Sequence, residues 1–541
     1  QNERTAKMKV IEKYKEKIEE EKKAGKNIIA CTVNYEVKSL NYDIQRDERV
    51  ELLDISTKDG KRVYVRGILY VMAKALNELY PAAQLSVNYQ LSNAMFCKID
   101  NIAVTNEMLE NIKNKMTEII SKDIEIVKKR MSREEAIEFY NNEKTLRGIA
   151  QVDNKQKEEV SLYYCEDYYN YFFGVMPIST GYTKIFDIVK YADGFLVRYP
   201  STKEPNKLEK YQDNKKLAAT LKEYDDIHKV LNINTLYKLN KAIEEGKAID
   251  LILLSEALHE KKIANIADDI AKRENVKMVL IAGPSSSGKT TFAKRLGIEL
   301  RLNGLKPVTI SVDNYFVERE NNPKDENGNY DFECLEALDL ELFNKHIKTL
   351  LDGGEIEVPT FDFKEGTKKY NGETLKLAND EILVIEGIHC LNDRLTSAIP
   401  ASQKYKIYIS DLTVLNIDYC NRISTTDTRL IRRIVRDNNF RGYSALHTLN
   451  TWYSVNRGED KNIFPFQENC DAMFNSSLIY EISVLKKYAL PELEKIENNC
   501  PEYAEAKRLI TFLRYFKEIP TDDIPKNSLL REFVGGSIFG E

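Results

Sequence analysis

The sequence predicts an α/β fold for its second half, a parallel sheet with helices on both faces, preceded by smaller α+β domains. From about residue 274 to residue 541, short apolar runs alternate with helical patterns, which is typical of a parallel sheet. Between residues 28 and 200, strand-like segments are mixed with separate amphipathic helices, which favours α+β domains. Because one hydrophobic core rarely serves a chain of 541 residues, we expect about three or four domains.

Composition and charge exclude several classes of protein. The chain has 80 basic and 85 acidic side chains and a net charge of -5, which gives no overall nucleic-acid signature, although a local basic face stays open. No apolar run reaches the length of a membrane span, and the first residues contain no apolar signal-peptide core. The cysteines form no C-x-x-C pair, so neither a zinc ribbon nor a disulfide framework is expected. We therefore expect a cytoplasmic protein with reduced thiols and no membrane partner, either monomeric or a homo-oligomer.

Four divisions are predicted along the chain. They are a β-rich module at 1–63, an α+β domain at 64–202, a helical connector at 203–273, and the α/β domain with a C-terminal helical tail at 274–541. In the first module, Lys58-Asp59-Gly60 is typical of a turn. In the second, a long amphipathic helix covers roughly 105–130, and a capping box of Ser132 and Glu135 begins another helix. The aromatic-rich segment 160–200 predicts strands that pack a second core, with a substrate-stacking platform as the alternative.

The strongest functional motif runs from Gly283 to Thr290, reads GPSSSGKT and matches G-x-x-x-x-G-K-[ST]. An apolar run at Met278–Ala282 precedes it and a helical pattern follows, so strand, glycine loop and helix occur in the order of a phosphate-binding loop. Backbone N–H groups and the start of the helix favour phosphate, Lys289 can reach the β- and γ-phosphates, and the Thr290 hydroxyl can hold Mg²⁺. The motif predicts a nucleoside triphosphate site, with a plain small-residue turn as the alternative.

Two carboxylates follow predicted strands of the same sheet. Asp313 comes directly after the strand at 308–312, where it could orient and deprotonate a hydroxyl nucleophile; a turn-forming Asp is the alternative. Glu386 follows the strand at 381–385, where it could hold Mg²⁺ directly or through water; an exposed acid at a strand end is the alternative. The carboxyl ends of parallel strands meet at one edge, so we expect both near the phosphate loop.

A cluster of arginines follows further along the chain. Arg429, Arg432, Arg433 and Arg436 share one helical face, and Arg441 comes shortly after them. So many cations on one face repel each other unless an anion lies opposite, and arginine neutralises the charge on a transferring phosphoryl group. The cluster predicts a mobile lid over a triphosphate, with a solvated face or a nucleic-acid patch as the alternative.

Together these motifs resemble the uridine kinase and phosphoribulokinase family of P-loop kinases over residues 277–480. The matching segments are GPSSSGKTT, DNYF with its strand-end Asp, NYDFE, VPTFDF, the IEGI strand end and R-x-x-R-D-x-x-x-R-G. The resemblance implies a P-loop kinase fold that uses ATP and Mg²⁺ to phosphorylate a small-molecule nucleoside acceptor.

The resemblance also implies roles for individual residues. Asp313 would be the catalytic base, with Lys289 and Arg436 as further catalytic residues, while Thr290 and Glu386 would hold Mg²⁺. The residues implied for binding the acceptor are Asp331, Phe361, Arg433 and Tyr443. Among them, Asp331 would bind the ribose hydroxyls. Those implied for ATP are Gly283, Pro284, Ser285, Ser286, Ser287, Gly288, Lys289, Thr290, Thr291 and Arg441.

The sequence departs from the family pattern where the base would be recognised. Uridine kinases usually read P-x-Y-D-F followed closely by His, but here Phe361 replaces the Tyr and Gly366 stands at the His position. The lid usually ends R-G-R, whereas this chain has Tyr443 after Gly442. The resemblance therefore implies intact phosphate chemistry with altered recognition of the acceptor.

Residues 28–200 resemble the N-terminal part of threonyl-tRNA synthetase, a TGS-like module followed by an editing-type domain. The matching segments are AKALNELYP, SREEAIEFY and YYCEDYY…YADGFLVRYP. The synthetase uses H-x-x-x-H, then Cys and a later His, but the corresponding residues here are Arg66, Tyr70, Cys165 and Tyr169. The resemblance implies a domain that has kept the shape and lost hydrolysis.

The sequence thus predicts an ATP-dependent kinase for the 5′-hydroxyl of a ribonucleoside, with uridine or cytidine as first candidates. One alternative is a kinase of the same fold for a purine nucleoside or a sugar phosphate. The other is an ATP-switched RNA-binding or regulatory protein, in which the synthetase-like half grips RNA.

Overall fold

The structure is a computed structural model that describes residues 8–45, 47–141, 159–324, 328, 330–362 and 365–540. Its second half is built on a five-stranded sheet in which every neighbouring pair is parallel. The strands lie in the order Lys306–Ser311, Glu381–Glu386, Met278–Ala282, Lys404–Ser410 and Ala472–Asn475. The predicted parallel sheet is confirmed, and the last of these strands is an addition to it.

Both faces of this sheet are covered by helices, which explains why its strands are continuous apolar runs. In the central strand, Val279 and Ile281 face one hydrophobic core, while Met278, Leu280 and Ala282 face another. The helices of this half are Lys289–Leu302, Leu340–Leu351, Thr425–Arg441, Ala445–Asn462, Glu481–Glu494, Tyr503–Leu513 and Arg531–Val534. A two-stranded hairpin of Glu355–Asp362 and Thr367–Lys376 adds to the sheet domain.

The predicted helical connector contains the helices Lys215–Val230, Leu236–Glu244 and Ala248–Ala271. The last of these packs on the helix that follows the phosphate loop, where buried Arg295 pairs with Glu256 at 3.3 Å and with Glu260 at 2.6 Å. The connector is therefore part of the support of the phosphate loop.

The first half contains four small sheets and five helices among the described residues. Its helices are Val10–Lys13, Lys15–Lys23, Lys58–Leu79, Asn106–Ser121 and Arg133–Asn141. Met8–Lys9 pairs with Asp43–Ile44 in the smallest sheet. The strand orders of the other three sheets are Glu36–Lys38, Ala30–Val33, Val50–Leu53; then Asp187–Tyr191, Gly194–Arg198, Ala94–Ile99, Leu85–Leu91; and Tyr168–Asn170, Glu159–Cys165, Val127–Ser132.

The turn predicted at Lys58-Asp59-Gly60 is wrong, because these residues form the first turn of the helix Lys58–Leu79. The Thr57 hydroxyl caps this helix by accepting from the backbone N–H of Gly60. A Cβ at Gly60 would lie 1.8 Å from the carbonyl oxygen of Asp54, so the glycine allows a close backbone approach. The predicted division between residues 63 and 64 falls inside this buried helix.

Two further predictions in the first half have different outcomes. The helix predicted at about 105–130 ends at Ser121, and Asp123 adopts a φ of 49° before the chain continues as the strand Val127–Ser132. The capping box is confirmed, since the Ser132 N–H donates to Glu135 Oε2 at 2.8 Å and the Glu135 N–H donates to Ser132 Oγ at 3.1 Å.

All eight cysteines are free thiols, and all except Cys500 are buried. Among the described residues, no helix combines the length and apolar character that a membrane crossing requires.

Candidate active site

The phosphate loop leaves the carboxyl end of the central strand of the parallel sheet and enters the helix Lys289–Leu302. Ser286 has a φ of 59° and Gly288 a φ of 85°, which curls the loop. A Cβ at Gly283 would lie 2.0 Å from the carbonyl oxygen of Ile409, so only glycine fits beside the neighbouring strand. The hydroxyls of Ser286 and Ser287 are buried without a hydrogen-bond partner in the described chain. The loop therefore holds unsatisfied donors where phosphate oxygens would lie.

Lys289 lies folded over its own loop. Its ammonium donates to the carbonyl oxygens of Gly283 at 2.9 Å and Pro284 at 3.2 Å. Burial lowers the pKa of Lys289, and the carboxylates of Glu386 and Glu532 act in the opposite direction. The charge is available for a phosphate, which would give the ammonium stronger acceptors than two carbonyls.

Asp313 and Glu386 line one cavity of about 470 Å³ together with the phosphate loop. Glu386 lies at the end of its strand, and the Thr290 hydroxyl donates to its Oε1 at 3.2 Å. Burial raises the pKa of both carboxyls, and the ammonium of Lys289 lowers it. The Asp313 side chain still contacts solvent on the cavity side, so it can reach a bound acceptor.

Three arginines reach the same cavity and converge on one buried carboxylate, Asp437. Arg433 Nε lies 3.3 Å from Asp437 Oδ2, Arg436 Nη2 lies 3.0 Å from Oδ1, and Arg441 Nη1 lies 3.4 Å from Oδ1. Thr448 donates its hydroxyl to Asp437 Oδ2 at 3.3 Å. One carboxylate therefore orients three cations, which leaves an excess of positive charge beside the phosphate loop.

Arg429 and Arg432 do not belong to a lid, contrary to the prediction for the helical face. Both are buried, and they pair with Glu459 at 2.6 Å and with Glu481 at 2.7 Å. Their guanidinium groups also donate to the carbonyl oxygens of Ser285 at 3.2 Å and Ser286 at 3.3 Å. They support the phosphate loop from below, a role that depends on acidic partners more than 25 residues away in the chain.

The residues predicted for the acceptor lie around the cavity rather than in its described lining, apart from Arg433. Phe361 packs on Phe316, which does line the cavity, with ring centroids 5.6 Å apart. Asp331 accepts from the backbone N–H of Glu333 at 3.1 Å, and Tyr443 stacks on His447 with centroids 4.3 Å apart. Their roles stay predictions.

Several lining residues were not identified from the sequence. Phe332 and Glu333, which follow Asp331, face the cavity, and burial raises the pKa of Glu333. Glu459 accepts from the backbone N–H of Ser285 at 2.9 Å. The lining carboxylates of Glu459 and Glu532 come from distant helices, so no local motif marks them.

Glu532 brings the C-terminal segment into the site. Its Oε2 accepts from the backbone N–H of Thr291 at 3.1 Å and from the Thr291 hydroxyl at 2.9 Å. Nearby, a Cβ at Gly288 would lie 2.2 Å from a methyl carbon of Leu529. A carboxylate thus occupies two donors of Thr291, in the first turn of the helix that follows the phosphate loop.

Comparison with known proteins agrees with this geometry. A sequence model of the Phosphoribulokinase / Uridine kinase family matches residues 278–483. The uridine kinase of Ligilactobacillus salivarius is 31% identical over 187 residues, which cover 34% of this chain and 78% of that protein. This chain belongs to the phosphoribulokinase/uridine kinase family. It is an ATP-dependent phosphotransferase with a hydroxyl acceptor, a nucleoside or a related compound.

A further similarity concerns the first part of the chain. The threonine–tRNA ligase of Clostridium kluyveri is 26% identical over 173 residues, which are 32% of this chain and 27% of the ligase, and this similarity supports the synthetase-like first part. The chain therefore spans about a quarter of that ligase. The structure of D-glycerate 3-kinase from Cryptococcus neoformans covers 47% of this chain and 87% of its own, with 13% identity and a TM-score of 0.21.

Proposed function

We propose that this kinase transfers the γ-phosphoryl group of ATP to the 5′-hydroxyl of a ribonucleoside, with uridine and cytidine as the first candidates. The observation that carries the proposal is one cavity that brings together the phosphate loop, two strand-end carboxylates and three arginines. The similarity to a uridine kinase supports the choice of acceptor. We place the reaction in the cytoplasm and expect homo-oligomers to be compatible with it.

Asp313 acts as the general base in this proposal. Its carboxylate accepts the proton of the acceptor hydroxyl as the oxygen attacks the γ-phosphorus, while the bond to the β-phosphate oxygen breaks. Because desolvation raises the pKa of Asp313, its carboxylate is a stronger base than an aspartate with an unshifted pKa.

Thr290 and Glu386 would hold Mg²⁺. A hydroxyl and a carboxylate oxygen 3.2 Å apart, at the start of a helix and the end of a strand, are hard oxygen ligands of the type that Mg²⁺ prefers. When bound, the ion supplies neutralisation of charge on the β- and γ-phosphates.

The arginines and Lys289 supply the remaining positive charge. Arg436 and Arg433 line the cavity together with the phosphate loop and would contact the γ-phosphate, and Arg441 completes the group around Asp437. Fixed cations stabilise a transferring phosphoryl group without having to reorganise at the moment of reaction. Positioned beside both substrates, this arginine group would exclude water and limit hydrolysis of ATP.

A second candidate is a kinase with another acceptor, a purine nucleoside or a sugar phosphate. Gly366 favours it, since this residue has a φ of 75° and a Cβ there would lie 2.7 Å from Arg319 Nε. Gly366 forms a tight turn and offers no side chain to a base. Phe361 has no hydroxyl, so hydrogen-bonded recognition of a pyrimidine must come from other groups.

The deciding experiment measures ADP release from Mg·ATP with a panel of nucleosides and sugar phosphates and a control without acceptor. Strong stimulation by uridine or cytidine supports the proposal, and stimulation by another acceptor supports the second candidate. Asp313→Asn should abolish the stimulation in either case. Slow release that no acceptor increases would overturn the nucleoside-kinase proposal and favour an ATP-switched regulatory role.

We also propose that the chain is organised in four divisions, at 1–63, 64–202, 203–273 and 274–541. The helix Lys58–Leu79 crosses the first of these boundaries, so limited proteolysis should cleave outside it. Cleavage within that helix in the native protein would support the division as drawn.

A further inference from the structure

A second cavity, of about 510 Å³, lies between the synthetase-like half and the C-terminal helix Tyr503–Leu513. It shares no described lining residue with the kinase cavity. Its walls combine cationic side chains with aromatic rings, and the kinase chemistry uses none of them.

Arg66 is the most informative residue of this cavity. It lies on the helix Lys58–Leu79, and its guanidinium packs against Gly174, where a Cβ would lie 2.5 Å from Arg66 Nη1. The backbone carbonyl of Val175 accepts from the same nitrogen. Gly174 adopts a φ of 110°, so the loop is shaped around the guanidinium.

The charge of Arg66 is not matched by a directly contacting carboxylate among the described residues, and the Asp59 carboxylate of the same wall acts on it only at longer range. Within the described chain, it forms no ion pair, and burial lowers the pKa of Arg66 to about 10. A partly buried cation without a carboxylate is costly, and an anionic ligand in the cavity would offset that cost.

Arg130 adds a second guanidinium to the wall, from the strand Val127–Ser132, and it too forms no ion pair with any described residue. The cations on the opposite wall differ, because Lys507 pairs with Glu36 at 3.1 Å and Arg508 pairs with Asp427 at 2.7 Å. One lining carboxylate, Glu159, has no cationic partner in the described chain, so the unpaired charge of the cavity remains positive.

Aromatic rings form the remaining wall. Phe173 and Tyr515 are half-buried, with ring centroids 5.8 Å apart at 75°, and Tyr163 lies beside them. Aromatic faces stack on nucleobases, and guanidinium groups bind phosphate through two parallel hydrogen bonds. A carboxylate such as Glu159 accepts hydrogen bonds from ribose hydroxyls.

We propose that this cavity is a second nucleotide site, which binds a free nucleoside 5′-phosphate with its phosphate on Arg66 and Arg130 and its base against Phe173 and Tyr515. The volume is close to that of the kinase cavity and suits a ligand of this size. The proposal does not depend on which acceptor the kinase uses.

The test measures binding of UMP, AMP, uridine and orthophosphate by calorimetry to the full-length chain carrying Lys289→Ala, which weakens the kinase site. We expect UMP or AMP to bind with one site per chain, and to bind at least tenfold more tightly than uridine or orthophosphate. In the same background, Arg66→Met and Arg130→Met should each lower that affinity at least tenfold. Arg49→Met, which removes an exposed arginine from the small β-rich module, should leave the affinity unchanged.

Arg130 is exposed, so its variant tests the proposal even if Arg66→Met unfolds the domain. The proposal is overturned if neither nucleotide binds at millimolar concentration, if orthophosphate binds as tightly as UMP, or if both arginine variants keep the affinity of their parent. ADP release by Arg130→Met with Lys289 intact should equal that of the unmodified kinase, so a failure here is separable from a failure of the proposed kinase activity.

Discussion

Glu532 provides the sharpest prediction about the kinase site, because its carboxylate occupies donors that a nucleotide phosphate would use. Both the backbone N–H and the hydroxyl of Thr291 donate to Glu532 Oε2, at 3.1 and 2.9 Å. ATP must displace this carboxylate or bind beside it, and in either case the negative charge opposes the phosphates. We therefore expect Glu532→Gln to bind ATP more tightly.

The size of this effect follows from the two hydrogen bonds. A hydrogen bond to a charged group contributes about 1.5–3 kcal/mol, and Glu532 is partly exposed, so solvent screening reduces the value. A net gain of about 1.4 kcal/mol corresponds to a tenfold lower KM for ATP. The acceptor contacts other residues, so its KM should change little.

The assay measures initial rates of ADP release against Mg·ATP at a saturating acceptor concentration. Glu497→Gln, which changes an exposed glutamate outside the cavity lining, serves as the control and should leave the KM for ATP unchanged. An unchanged or higher KM in Glu532→Gln would refute the reasoning and would mean that the carboxylate supports the nucleotide-bound loop.

Three further predictions concern the catalytic base and the supporting acids. Asp313→Asn should lower kcat by about 100-fold or more with little change in the KM for ATP. Since burial raises the pKa of Asp313, the rate of the unmodified kinase should begin to fall at a higher pH than the pKa of an ordinary aspartate predicts. An unchanged pH–rate profile in Asp313→Asn would contradict this role. Asp437→Asn should lower kcat and raise the KM for ATP, because Arg433, Arg436 and Arg441 lose their common partner; unchanged kinetics would show that the arginines hold their positions alone. Glu459→Gln leaves Arg429 buried beside a neutral amide and should lower the free energy of unfolding by up to about 3–5 kcal/mol. Urea denaturation measures this loss, and a loss below about 0.5 kcal/mol would contradict a stabilising buried ion pair.

The parts of the fold that the sequence predicted are those set by local pattern. The central strand Met278–Ala282 is apolar along its whole length because both its faces are buried, and glycines mark the loop that follows it. The strand Ala472–Asn475 is short and has no such run, since it lies at the edge of the sheet, so its membership depends on pairing with Lys404–Ser410. Gly60 misled the prediction because a glycine serves a close approach as often as a turn.

The candidate site likewise contains residues that local pattern predicted and residues that it did not. Asp313 and Glu386 could be predicted because each lies at or just past the carboxyl end of a strand, and strand ends meet at one edge of a parallel sheet. Arg429 and Arg432 could not be distinguished from Arg433 and Arg436, since all four share one helical pattern. Only the buried carboxylates of distant helices decide which arginines are neutralised and which face the cavity.

The supporting acids also show how the kinase site is organised before a nucleotide binds. Glu459 accepts from the backbone N–H of Ser285 while its partner Arg429 donates to the carbonyl oxygen of the same residue, so one ion pair fixes the backbone on both sides of the Ser285 Cα. Glu532 holds the opposite end of the loop at Thr291. Because the second of these carboxylates comes from the C-terminal helix Arg531–Val534, that segment is a component of the phosphate site rather than an appendage. If a nucleotide phosphate accepts from the N–H of Thr291 as proposed, nucleotide binding and the position of the C-terminal segment are coupled, since a phosphate and a carboxylate cannot both accept that N–H at full strength.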